Sequence, residues 1–404
     1  MLEKETEKRL NRNIALLGIY KVFTKRVFLP VTTIYATQQA GMTIQQIGLV
    51  ASLSSIISFL CDTATGFWAD KHGRKKSAMV GSALLMVSSL LYILSNNFVG
   101  ILGASFVAAI GYSFVNGSVE ALIHDTLVVL KRQDDYAKVA SRAQSLALVG
   151  NAVLVALVPL LYPIDRRLPF VAALFAYMAL FYIALLLLEP AIKHDVEAEE
   201  RRFFRTVRLL VNRKTALFFL CLGLIYATNI ATFDVFNLAP LQLGFEIKYM
   251  GLIFAGASLL GAALGLVVHN LRRLGFKGYA AFDVVINILP FVMYGIFKSL
   301  PLGLVFFMLS TALWRYETIM YQSFILKVYG TTRYKATIIS ITTNASSLNQ
   351  IWMGVALTGA AQHLGLLNSF PYDAFGLVLF LPLFLFSISQ FSANAKAEVP
   401  STNQ

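Results

Sequence analysis

Gly66-Phe67-Trp68-Ala69-Asp70-Lys71-His72-Gly73-Arg74-Lys75-Lys76 decides how this chain is read. One long apolar run ends in it and another begins directly after it. An acid, two glycines and a basic cluster are packed between two expected membrane helices. Cytoplasmic loops carry an excess of Lys and Arg, which accounts for Arg74, Lys75 and Lys76. It does not account for Asp70 or for the spacing of the glycines.

The composition fits that setting. The chain has 404 residues, 57% hydrophobic and only 14% charged, where a soluble domain carries about 25% charged residues. A membrane span takes roughly 20 apolar residues, and the runs place twelve: 13–36, 44–68, 76–95, 100–127, 138–162, 168–189, 215–240, 249–270, 278–297, 301–327, 335–362 and 371–392. The net charge of +13 does not mark a nucleic-acid partner, because most basic residues lie in the loops. Cys61 and Cys221 both fall inside apolar runs, so no disulfide framework or zinc site is expected. The polar start MLEKETEKRLNRN carries no signal-peptide pattern.

With the N-terminus inside, 25 of the 34 Lys and Arg fall in cytoplasmic segments and four in outer ones. Both termini are therefore expected in the cytoplasm. The long charged connection 191–214 divides the chain into 1–190 and 215–404, six spans each. Its Phe203, Phe204, Val207, Leu209, Leu210 and Val211 suit one face of a helix lying on the membrane. The halves are weakly related: Gln46-Ile47-Gly48-Leu49 opens span 2 and Tyr249-Met250-Gly251-Leu252 opens span 8.

The stretch Gly66–Lys76 resembles the loop between helices 2 and 3 of the major facilitator superfamily, with its pattern G-x-x-x-D-x-x-G-R-[RK]. Gly66, Asp70, Gly73, Arg74 and Lys75 match every fixed position. Asn116-Gly-Ser-Val-Glu120-Ala-Leu-Ile-His-Asp125-Thr-Leu127 is similar to the helix 4 pattern S-G-x-x-E-A-L-x-x-D-x-L of many bacterial members, with Asn in place of the first Ser. The resemblance implies an all-α membrane protein, two pseudo-symmetric six-helix bundles, and alternating access around a site near the midplane. It also implies that spans 1, 4, 7 and 10 line the central cavity.

Charges at bilayer depth are where function is sought, since each costs about 2.5–3.5 kcal/mol at a helix centre. Lys21, Lys25 and Arg26 lie in span 1, Glu120 in span 4, Asp234 in span 7, and Arg315 with Glu317 in span 10. Four bases face three acids, so mutual neutralisation leaves one positive charge. That balance suits an anionic group on a substrate, with Glu120, Asp234 or Glu317 carrying a proton. Tyr20, Phe23, Tyr226, Phe233, Trp314 and Tyr316 are candidate lining aromatics, although aromatics in membrane helices usually only pack. A second set belongs to the cytoplasmic ends: Asp70 and Arg74 with Asp62, Asp125, Arg142 and Asp283, read as a gate together with Gly66 and Gly73.

Absent patterns narrow the reading further. Helix 4 lacks the arginine, and helix 5 the glycine-rich motif, of the superfamily's drug antiporters. No G-x-x-x-x-G-K-[ST], H-E-x-x-H or G-x-S-x-G occurs, so neither ATP hydrolysis nor a membrane protease or lipase is supported. The expectation is a proton-coupled secondary transporter in the cell membrane, not an enzyme, acting as a monomer on a small solute without cofactor or metal. An exporter of amphipathic compounds is the alternative within transport. A membrane-embedded enzyme or sensor on a transporter fold is the alternative of another class.

Overall fold

The computed structural model describes residues 2–24, 26–132, 135–190, 207–208, 210–211, 215–265, 267–329 and 335–398. Every regular element among them is helical. The first seven long helices are α1 Leu2–Phe23, α2 Leu29–Gln38, α3 Ile44–His72, α4 Arg74–Leu94, α5 Phe98–Val129, α6 Tyr136–Leu157 and α7 Leu168–Leu186. The later ones are α8 Ala216–Gln242, α9 Met250–Gly265, α10 Gly275–Gly295, α11 Leu300–Tyr329, α12 Lys335–Leu364 and α13 Leu366–Glu398. Nine stretches among the described residues are long and apolar enough to cross a membrane.

Local chemistry sets the helix ends. At the start of α3, Thr43 and Gln46 form a reciprocal box. The Thr43 N–H donates to Gln46 Oε1 at 2.9 Å, and the Gln46 N–H donates to Thr43 Oγ1 at 3.2 Å, which closes two orphan donors. Asn97 caps α5 by accepting from the Gly100 N–H at 2.9 Å. Between α3 and α4 a single residue makes the turn: Gly73 adopts φ 106°, a conformation that a side chain would resist.

The first span differs from the uninterrupted helix expected over 13–36. It is two helices, α1 and α2, with the ladder interrupted around Arg26–Phe28. Pro30 stands in the first turn of α2. Proline lacks an N–H and its ring clashes with the carbonyl four residues back, here that of Arg26, so it fits the first turn of a new helix and not the interior of a continuing one. The expected membrane-surface helix over 191–214 lies almost wholly outside the described residues. Of it, Val207, Arg208 and Leu210 are helical, Leu210 is buried, and Thr215 Oγ1 donates to the Leu210 carbonyl at 2.6 Å.

The chain packs as two compact units. Unit 1 comprises Met1–Met42, Leu53–Ala198 and Glu246–Ser258. In it α4 lies against α5 and α7, and α1 against α6. Phe28, Tyr35 and Tyr92 converge on Phe170, with ring centroids at 5.0, 4.5 and 4.9 Å. Unit 2 comprises Thr43–Ser52, Glu199–Phe245 and Leu259–Gln404. There α8 lies against α12, and α10 against α11 and α13. Phe236, Phe291 and Phe370 form one aromatic cluster, and Phe218 stacks on Phe391 at 4.1 Å. Both units contain very close backbone approaches, and two of them correspond. In unit 2 a Cβ added at Gly48 would stand 2.4 Å from the Gly354 carbonyl oxygen, and in unit 1 one at Gly251 would stand 2.4 Å from that of Val155. These are matching positions of the weak sequence repeat, and small residues there let helices touch through their backbones.

Candidate functional site

The turn between α3 and α4 is the centre of a polar network in unit 1. Asp70 and Arg74 are four residues apart and flank Gly73. Arg74 Nη2 donates to Asp70 Oδ1 at 3.1 Å, and its Nη1 lies 3.0 Å from Asp125 Oδ2 on α5. Their side chains are 22%, 12% and 7% exposed for Asp70, Arg74 and Asp125, so one guanidinium serves two poorly hydrated carboxylates. His124 Nδ1 lies 3.3 Å from the other Asp125 oxygen. Glu189, just beyond α7, accepts from the Arg74 and Lys75 N–H groups at 2.8 and 2.7 Å. A carboxylate suits that place, because a helix N-terminus presents unpaired donors and a positive dipole end. Lys75 Nζ donates back to the Leu185 carbonyl at 2.9 Å. Asn13 of α1 exchanges two hydrogen bonds with the backbone of Leu188, at 2.7 and 3.0 Å.

Three other residues grouped with this end by sequence stand differently. Arg142 is exposed and joins no ion pair among the described residues. Asp62 accepts from Ser113 Oγ at 2.5 Å. Gly66 lies inside α3 with no described atom close to where a Cβ would be.

Farther along α1, a polar cavity of about 100 Å³ is lined by Lys21, Thr24, Asn116, Glu120 and Gln144, with valine and alanine between them. Lys21 Nζ pairs with Glu120 Oε1; the lysine is nearly buried, and the glutamate is half exposed. Lys25 lies outside the described residues. Arg26, at the break before α2, is exposed and sits over the Tyr112 ring, its Cζ 4.4 Å from the centroid. The Tyr112 hydroxyl is in turn 2.6 Å from that of Tyr177. No carboxylate pairs with Arg26 among the described residues. A cation over an aromatic face is held by the ring quadrupole while its charge stays uncancelled.

Unit 2 holds the remaining candidates. Glu317 on α11 is fully buried. Its Oε2 accepts from Asn229 Nδ2 at 3.2 Å. Asp283 on α10 is 5% exposed; its Oδ2 accepts from the Tyr321 hydroxyl at 2.9 Å, and its carboxyl touches that of Glu317. Asp283 is thus paired with Glu317 and Tyr321, whereas its sequence position grouped it with Asp70 and Arg74. Arg315 is half-buried against Gly261 of α9. Asp234 lies on α8, and its side chain is outside the described set. Of the candidate aromatics, Tyr20 is fully buried and donates to the Ala78 carbonyl at 3.3 Å, so it is core. Tyr316 donates to the Gly261 carbonyl at 2.7 Å.

Sequence reasoning passed over Thr24, Gln144 and Glu189. Glu189 left one signal, an acid followed by Pro190 at the end of an apolar run. Thr24 and Gln144 left none, because neutral polar residues are common in spans. No group of acids, histidines and cysteines that could hold a metal ion occurs among the described residues.

Comparison with known proteins accords with this architecture. The chain superposes on the crystal structure of the nucleoside transporter NupG with a TM-score of 0.72 at 15% identity, covering 97% of this chain and 100% of that one. A structure described for substrate recognition in proton dependent oligopeptide transporters gives 0.68 at 14% identity, covering 98% of each. A bacterial homolog of the human lysosomal transporter Spinster, inward-facing and unoccupied, gives 0.68 at 12% identity and 97% of each. No curated protein matches in sequence. The sequence model of the Major Facilitator Superfamily matches residues 14–354, and with that match the chain belongs to this superfamily of membrane transporters.

Proposed function

We propose that the protein is a proton-coupled secondary transporter that moves a small organic solute with an anionic group by alternating access. Twelve spans, bundles over 1–190 and 215–404, cytoplasmic termini, a monomeric state and residence in the cell membrane belong to the same reading. The observation that carries it is Arg26: a cation at a helix break in the membrane region, exposed, held over Tyr112, and without a carboxylate among the described residues. Lys21 supports it less, because Glu120 already answers its charge. Broken helices are where transporters of several folds bind charged groups. Proton dependent oligopeptide transporters share this fold, which makes a proton gradient the first driving force to test.

The test is flux into sealed vesicles holding the purified protein, with and without an imposed pH gradient. The panel is small carboxylates and phosphate esters against uncharged nucleosides. Anionic solutes are expected to move, faster with the gradient, and Arg26→Ala is expected to weaken their binding by two or more orders of magnitude. That loss corresponds to about 3 kcal/mol. Equal binding of anions by Arg26→Ala, or flux of uncharged solutes alone, would sink the anion reading.

A further inference from the structure

Glu317 and Asp283 are two buried acids with no base paired to them among the described residues. They reach the same spot from neighbouring helices, α11 and α10, and both are buried. The groups facing them are Asn229 and Tyr226 of α8, Tyr279 of α10, and Tyr321 of α11. From α13, Phe384 packs on Tyr321. Among the described residues no lysine, arginine or histidine pairs with either acid.

The hydrogen bonds leave two atoms at this spot without a partner, Glu317 Oε1 and the Tyr226 hydroxyl. Tyr321 donates to Asp283, and Asn229 donates to Glu317 Oε2. Glu317 Oε1 is buried with no hydrogen-bond partner. An acceptor oxygen beside another carboxyl cannot bond to it, because ionised carboxylates only accept. One proton changes that: a protonated carboxyl gains an O–H donor. With the proton on Glu317 Oε1, that atom donates to the Asp283 carboxylate, which then accepts from both Glu317 and Tyr321, while Glu317 Oε2 keeps its bond from Asn229. Two carboxyls in contact in a dry site do not both stay charged, and one proton leaves a single, fully hydrogen-bonded charge.

We propose that Glu317 and Asp283 together bind one proton, carried on Glu317 and accepted by Asp283, and that this is the proton which couples transport. The second half rests on the proton-coupled reading above. The first half does not.

The test is infrared absorption of the purified full chain in an ester-free detergent near neutral pH, with exchange into D2O. Wild type is expected to show a protonated-carboxyl C=O band that shifts down on exchange. Glu317→Gln is expected to lose it, and in Asp283→Asn the band is expected to move, because its acceptor has changed. No band in wild type, or an unchanged band in Glu317→Gln, overturns the proposal. Should Glu317→Gln fail to fold, an unmoved band in Asp283→Asn overturns it equally. The readout is separate from flux. Flux driven by a pH gradient with no band in wild type overturns the pair and leaves coupling to Glu120 or Asp234. A band in protein that moves no solute keeps the pair and removes the transport reading.

Discussion

Asp125 in unit 1 and Glu317 in unit 2 are both acids buried within helical bundles, 5% and 0% exposed. What faces them differs. Asp125 meets the guanidinium of Arg74 at 3.0 Å, and Glu317 meets a second carboxyl. A buried acid beside a fixed cation has its counter-charge built into the fold, and removing either partner strands the other. A buried acid beside another acid has only a proton to settle its charge, and protons come and go. The first arrangement suits holding helices in place. The second suits a change of state.

The sharpest way to break this contrast is Arg74→Ala. It leaves Asp70 and Asp125 without their shared cation, and removing one partner of a buried pair costs about 3–5 kcal/mol. Denaturant unfolding of the purified protein is expected to show a loss of that order, and Asp125→Asn added to Arg74→Ala is expected to recover much of it. Wild-type stability in Arg74→Ala would mean that the Asp70–Arg74–Asp125 network holds nothing. Next comes Glu189→Ala, which strips two N–H groups at the start of α4 of their acceptor. The expected cost is about 1 kcal/mol, as for the loss of a helix cap. Glu189→Gln keeps an acceptor and is expected to lose only the charge–dipole share, about 0.3–1 kcal/mol.

On the other side of the comparison, Glu317→Gln keeps the shape and takes away the titrating group. Its stability is expected to stay within about 1 kcal/mol of wild type, since no buried cation is stranded, while flux loses its response to a pH gradient. A destabilisation as large as that of Arg74→Ala would mark Glu317 as structural. The smallest effect belongs to Lys21 and Glu120, whose glutamate is half exposed. A double-mutant cycle with Lys21→Met and Glu120→Gln is expected to give a coupling of about 0.2–1 kcal/mol, read from the same unfolding curves.

Much of this was legible in the sequence. Apolar runs of the right length mark the spans. The spacing of Asp70, Gly73 and Arg74 marks the turn, since only a glycine there allows α3 to end at His72 and α4 to begin at Arg74. The pairing of Lys21 with Glu120 was one of several open possibilities: each acid had several bases within notional reach, and packing alone selects among them. The meeting of Asp283 and Glu317 was illegible for the same reason. They lie on separate helices, and their rotation about the helix axes is fixed by the aromatic packing of unit 2. The break before α2 had a visible cause in Pro30, but prolines are tolerated in many membrane helices, so the residue alone did not decide it.

The cap on α4 also sets an order of assembly. Its acceptor, Glu189, follows Arg74 by 115 residues. At a synthesis rate of about 5–20 residues per second, α4 waits on the order of ten seconds for its cap. Until then the Arg74 and Lys75 amides have only water or another donor-seeking group to turn to. Unit 1 is thus latched from its far end, by the last residues of its sixth apolar run and by the clasp of Asn13 on Leu188. A nascent chain stalled at Leu187 carries all the helices around this turn and lacks the piece that locks it. Limited trypsin digestion after Lys71 and Arg74 is expected to be faster in that stalled chain than in one extended past Pro190.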